Sequence, residues 1–169
     1  MHIRLASIDD AAAIHQMVTA IAAETRLDHK VTSTPADIAE HGFGPNPEFR
    51  VLIAEDNREL AGMCLYFRSF STWRGSVGGY IQDLFVHPDH RGSGLAAMLL
   101  EATAAKIVAE GGTYLRLSVD ADNIRGQRFY AKQGMRWSDD ERIFQIDGAD
   151  FVAVANRTAA AAGVDEHAG

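Results

Sequence analysis

The chain has 169 residues, 47% of them hydrophobic, enough for one ordinary domain with a buried core. Its 23 acidic and 16 basic residues leave a formal charge of -7, which argues against a broad phosphate-tracking surface for nucleic acid and suits a cationic substrate better. A single cysteine excludes an intrachain disulfide, and the absence of both a leader pattern and an apolar run of about 18 residues argues against a signal peptide or a membrane span, so the cytoplasm is the expected location.

A strand from Ile3 to Leu5 opens the chain. Ser7 and Asp10 stand at capping-box spacing, and Ile14, Met17, Val18 and Ile21 recur at helical spacing, which predicts a helix from Asp9 to Arg26. Thr34 as cap, Pro35 in the first turn and Asp37 announce a second, short helix that Gly42 stops. VLIAE and LAGMCLYFRSF, joined by the turn-forming pair Asp56-Asn57, read as an antiparallel hairpin, and Cys64 within it reads as a buried strand position rather than a nucleophile. A glycine-rich loop at Arg74 to Gly79 precedes a strand from Tyr80 to Val86. Then come the loop HPDHRGSG and a helix of good formers, LAAMLLEATAAKIVAE, ended by Gly111 and Gly112. A strand from Tyr114 to Val119, a short helix from Ile124 to Gln133 and a strand from Arg142 to Asp147 complete the ordered part, and the tail AAAAGVDEHAG is expected to fray. This order predicts an α/β fold, a mixed sheet with helices on both faces, in one domain over residues 1–158 with a tail at 159–169.

The loop HPDHRGSG carries the most chemistry. Small residues beside Arg91, leading straight into a helix, let backbone N–H groups and the positive helix end approach a pyrophosphate. Two other readings stand beside this one. Gly92-Ser93-Gly94-Leu95-Ala96-Ala97 matches the dinucleotide pattern G-x-G-x-x-A with Asp120 downstream, but five residues including a proline separate the strand from the first glycine. A glycine-rich turn without a ligand is the other. His87 and His90 flank Pro88-Asp89 at metal-like spacing, yet no third ligand stands beside them and HExxH is absent, so no metal is expected.

The loop pattern [QR]-x-x-G-x-[GA], met by Arg91, Gly94 and Ala96, is followed about 30 residues later by Asn123, Phe129-Tyr130 and Gly134 in the run D-x-D-N-x-x-G-x-x-F-Y-x-x-x-G. On these motifs the chain resembles the GNAT superfamily of acyl-CoA N-acyltransferases. EHGFG, FRSFSTWRG, YIQDLFV-x-P-x-x-R-G-x-G and F-x-I-D-x-x-x-F look like the diamine (spermidine/spermine-type) acetyltransferases within it. The resemblance implies a GNAT-like, mostly antiparallel central sheet. It also implies acetyl-CoA as co-substrate, with Arg91, Gly92, Ser93, Gly94, Leu95 and Ala96 holding the pyrophosphate. Leu84, Phe85 and Val86 would pair with the pantetheine arm, Asn123 would contact the cofactor, and Tyr130 would stand beside the sulfur. It further implies a homodimer.

An alkylamine with a pKa of about 10.4 is almost wholly protonated at neutral pH, so a base or a local charge pattern has to help it react. The departing thiolate, from a thiol of pKa about 8.5, benefits from an acid, and Tyr130 is the candidate. The diamine enzymes carry a glutamate where this chain has Gln82, whose amide accepts no proton, so Asp83, directly or through water, is the candidate to balance the ammonium. Strict alternation sends Asp83 to the face opposite Gln82 unless a bulge intervenes. Glu24 and Asp28, near the position of an acidic contact in the diamine enzymes, and Trp73, before the central strand, are candidates to line an amine pocket. The expected activity is acetyl transfer to a primary amine of a small cationic molecule, a polyamine or a lysine-like amino acid. A non-catalytic acyl-CoA-binding regulator and a nicotinamide-dependent oxidoreductase are the alternatives.

Overall fold

The structure is a computed structural model that describes residues 1–57 and 59–159. The expected tail, from residue 160 on, lies outside the described residues. Two compact units divide the chain, Met1–Phe129 and the residues from Tyr130 onward.

In the first unit, β1 (His2–Leu5), β2 (Arg50–Asp56), β3 (Glu59–Ser71), β4 (Ser76–Val86) and β5 (Leu115–Leu117) form one sheet in chain order. The first three pairings are antiparallel and β4 with β5 is parallel, so the mixed, mostly antiparallel sheet expected from the sequence is found. Alternation along β2 and β3 splits the buried side chains between two faces. Val51, Ile53, Met63, Leu65 and Phe85 pack with Ala11, Ile14 and Met17 of α1 (Ala11–Glu24) and Ile38 of α2 (Pro35–Phe43). The opposite face receives α3 (Leu95–Ala109), whose Leu95, Leu99, Thr103 and Ile107 are buried at intervals of one turn. α4 (Ile124–Lys132) runs across the boundary of the two units, and α5 (Gly148–Ala159) belongs to the second.

Several expectations need correction. β4 begins at Ser76, so Gly78 and Gly79 are strand residues: a Cβ at Gly78 would stand 2.5 Å from the Tyr114 ring, and one at Gly79 2.8 Å from Ile107. The helix expected from Asp9 starts as a single 3-10 turn, Ile8–Asp10, before α1. α2 runs one residue past Gly42, which is pressed against the Phe49 ring. Arg142 to Asp147 forms no strand. Its polar-apolar alternation suits a sheet edge, but it enters no ladder among the described residues, and the left-handed Gly148 (φ 53°) leads into α5, which the sequence reading missed.

Arg4 anchors the start of the chain with hydrogen bonds to both carboxylate oxygens of Asp10 (2.8 Å each) and to Glu55 Oε1 (2.7 Å). The guanidinium holds the Asp10 carboxyl at about 2, below the ordinary value. A depressed carboxyl stabilises the fold above the unfolded-state pKa of about 4 and loses that contribution as pH falls toward 2. In urea unfolding, Asp10→Asn is expected to cost about 1–2 kcal/mol at pH 7 and progressively less as pH falls through about 2; equal stability at pH 7 would refute the coupling.

Candidate active site

β4 makes the site by being bulged and then half unpaired. Leu65 pairs with Asp83 but Tyr66 pairs with Ile81, so Gln82 has no partner on β3. Directly opposed residues share a face, which puts Asp83 with Leu65 and Phe85 with Met63 on the α1 side. The bulge that strict alternation would have needed is therefore present. Gln82 is exposed, and Asp83 is half-buried with its carboxyl pKa pushed up by desolvation. One register step away, on the face of Leu65, Phe67 and Tyr80 stack with ring centroids 5.1 Å apart. An apolar cavity of about 260 Å³ lies on the same side, between α1 and Phe85.

β5 ends at Leu117, opposite Ile81, so among the described residues no strand covers the far edge of β4 from Gln82 to Val86. The His87 N–H donates to the Ala61 carbonyl (2.8 Å), which fixes the phase of the β3 ladder. In that phase Leu84 and Val86 turn their N–H and C=O groups away from β3, toward the open edge. Among the described residues, the Val86 carbonyl is engaged there by Arg91 Nε at 3.0 Å.

A 3-10 turn at Pro88–His90 then leads into Arg91-Gly92-Ser93-Gly94 and α3. Gly92 and Gly94 have φ of 81° and 89°, left-handed backbone that glycine adopts without strain. Nothing stands within 4 Å of a Cβ built at either position, so the loop surface is open. The Ser93 hydroxyl is turned inward to the His90 carbonyl (2.7 Å), whereas the backbone N–H groups from Gly92 to Ala96 donate to no described acceptor. Five N–H donors with no acceptor among the described residues, at a helix N-terminus, fit a pyrophosphate. The open strand edge beside them fits an extended amide-bearing arm.

The candidate residues do not all gather there. Leu84 to Val86, Arg91 to Ala96 and Asp83 share β4 and the loop that follows it. Glu24, the last residue of α1, is ion-paired with Arg91. Asp28 is exposed in a separate 3-10 turn, Asp28–Lys30. Trp73 is fully exposed in the β3–β4 turn, at the other end of β4 and about 30 Å from Arg91 at strand rise. Asn123 caps α4, its side-chain oxygen accepting the Gly126 N–H at 2.8 Å. A Cβ at Gly126 would stand 2.8 Å from that same amide, which explains the glycine three residues on. Tyr130, in the second unit, stands in the last turn of α4, where its carbonyl accepts N–H groups from Gln133 and Met135. Cys64 is fully buried with its thiol pushed up to about 12, which removes it as a nucleophile. Among the described residues no group of three candidate metal ligands occurs, and no helix is long and apolar enough to cross a membrane.

The contact that sequence reasoning missed is Glu24 with Arg91. The partners are 67 residues apart, and Glu24 was singled out only as a possible substrate contact.

Comparison with known proteins agrees with this architecture. The family model described as "Acetyltransferase (GNAT) family" matches residues 13–135. A thialysine N-epsilon-acetyltransferase from Mus musculus is 27% identical over 166 residues, covering 92% of this chain and 97% of the relative. A human spermidine/spermine N(1)-acetyltransferase-like protein 1 is 27% identical over 139 residues, 78% of this chain and 20% of the much longer relative. Among solved structures, an integron cassette protein from V. cholerae superimposes with a TM-score of 0.77 at 18% identity, over 91% of this chain and 96% of the other. That likeness shows the fold.

Proposed function

The chain belongs to the GNAT acetyltransferase family and is an acetyl-CoA-dependent N-acetyltransferase; from that premise we propose that it acetylates a primary amine of a small cationic molecule, a polyamine or a lysine-like amino acid. The observation that carries this reading is the open edge of β4 running into the unengaged N–H groups of Gly92 to Ala96, with Asp83 on the adjoining strand residues.

When bound, acetyl-CoA supplies the thioester that the amine attacks. In this reading, the loop N–H groups and the positive end of α3 hold the pyrophosphate, Leu84 and Val86 pair with the pantetheine amides, and Asn123 lies beside the cofactor. The Asp83 carboxylate offsets the ammonium charge and takes its proton, directly or through a water held by Gln82. Desolvation makes that carboxylate a stronger base than a solvated one. Tyr130 gives a proton to the leaving thiolate. The stacked Phe67 and Tyr80 and the apolar cavity beside α1 favour a substrate with an alkyl body behind its charge. The names of the thialysine and spermidine/spermine relatives support the same substrate class. A homodimer, a cytoplasmic location, and a single domain over 1–158 are part of the proposal.

The test is free-thiol release from acetyl-CoA with putrescine, spermidine, lysine, thialysine and an aminoglycoside. Turnover on a diamine or lysine analogue is expected, and neutral amines outperforming diamines would remove the cationic preference. Asp83→Asn is expected to lower kcat about 10–100-fold at neutral pH. The raised carboxyl pKa sets the sign of the pH dependence: in the wild type kcat/KM falls as pH drops through the Asp83 pKa, which desolvation holds above the ordinary aspartate value, and in the variant that limb disappears. Full turnover of Asp83→Asn across pH would sink the role of Asp83.

A further inference from the structure

We propose that Glu24 is a built-in competitor for the cofactor phosphate, occupying Arg91 in the free enzyme and surrendering it when coenzyme A binds. The inference rests on the acetyltransferase reading of the loop above.

Three observations carry it. First, Arg91 is held at two points by partners of different kinds. Its Nε is fixed to the Val86 carbonyl at 3.0 Å, at the end of the open edge, while a terminal nitrogen engages Glu24. The guanidinium is thus tethered beside the loop, with its far end able to turn between a carboxylate and a phosphate, both of which match its planar array of donors.

Second, Glu24 is badly placed for its own helix. It ends α1, where the negative end of the helix dipole disfavours a carboxylate, and no basic residue in that last turn compensates. The partner it finds is 67 residues away and belongs to the segment that opens onto the phosphate-binding N–H groups.

Third, the pair is weak enough to exchange. The Glu24 side chain is half exposed and that of Arg91 about a quarter exposed, so solvent screens their attraction. A pyrophosphate carries more charge than one carboxylate and is held at the same time by the helix N-terminus, so it displaces Glu24 rather than adding to it. Cofactor affinity is then set partly by a residue that never touches the cofactor.

The experiment is equilibrium binding of coenzyme A, without acetyl group or amine, to the full chain, read by displacement of a fluorescent coenzyme A analogue so that weak binding is still measured. Glu24→Gln is expected to tighten coenzyme A about two- to five-fold. In an Arg91→Met background the same Glu24→Gln change is expected to have no effect. Unchanged or weaker binding in Glu24→Gln overturns the proposal, as does a tightening that persists in the Arg91→Met background, because that would be a general charge effect and not an exchange. If the wild type binds no coenzyme A, the reading of the loop itself fails and takes this inference with it, whereas failure of the exchange alone leaves wild-type binding intact.

Discussion

Replacing Tyr130 by phenylalanine is expected to lower kcat about a hundredfold while leaving coenzyme A affinity unchanged. Phenylalanine keeps the aromatic ring and removes the hydroxyl, and with it the proton that the leaving thiolate would receive. The tyrosine stands in the last turn of α4, which the left-handed Gly134 (φ 82°) terminates, so its backbone position is set by the helix end rather than by the hydroxyl. The loss belongs at the low end of general-acid effects, because a thiol of pKa about 8.5 is already a tolerable leaving group. That reasoning supplies a second readout. Acetyl thioesters of more acidic thiols need less protonation on departure, so the deficit of the variant is expected to shrink as the leaving-group pKa falls. A deficit independent of the leaving group would assign Tyr130 a structural role.

The largest stability effect is expected at Gly62. It pairs with Ala54 on one side and Val86 on the other, in the middle of the sheet. A Cβ there would stand 2.5 Å from the Phe85 carbonyl oxygen and 3.3 Å from the Val86 Cα, both backbone atoms of β4. On the α3 side Leu99 is 3.4 Å away. The far end of a flexible side chain would swing aside, but here β4 itself would have to retreat. Gly62→Ala is therefore expected to cost about 2–4 kcal/mol, a fall in Tm of roughly 5–15 °C. Because the displaced residues carry the open edge, coenzyme A affinity is expected to fall with stability. Thermal unfolding with and without coenzyme A separates the two losses, and a variant as stable as the parent would mean that β4 is more pliant than this packing implies.

What could be read from the sequence follows from how local each cause is. The loop after β4 was legible because its glycines answer a local demand, left-handed backbone at Gly92 and Gly94, and because α3 repeats its buried residues every turn. The five strands and α1 to α4 were legible from periodicity, caps and turns, with β5 (Leu115–Leu117) shorter than the expected Tyr114 to Val119. Gly78 and Gly79 were misread as loop because the reason for them is Tyr114 and Ile107, more than 25 residues away. The bulge at Gln82 was foreseen only as a condition, since register belongs to a pair of strands and β4 alone does not contain it. Arg142 to Asp147 shows the converse error, a strand-like alternation that enters no ladder among the described residues. Glu24 was picked out for its charge, yet its partner is fixed by where the end of α1 meets the end of β4, which one-dimensional spacing does not reveal.

The unpaired stretch of β4 has a cost as well as a use. An uncovered strand edge is a template on which any extended chain can add itself, and proteins ordinarily blunt such edges with charge. Here Arg91 blunts it at one atom, the Val86 carbonyl, and the two backbone groups of Leu84 have no partner there among the described residues. A ligand that pairs along this edge therefore also acts as its guard, so the chain is expected to be more prone to clumping when starved of coenzyme A than when supplied with it.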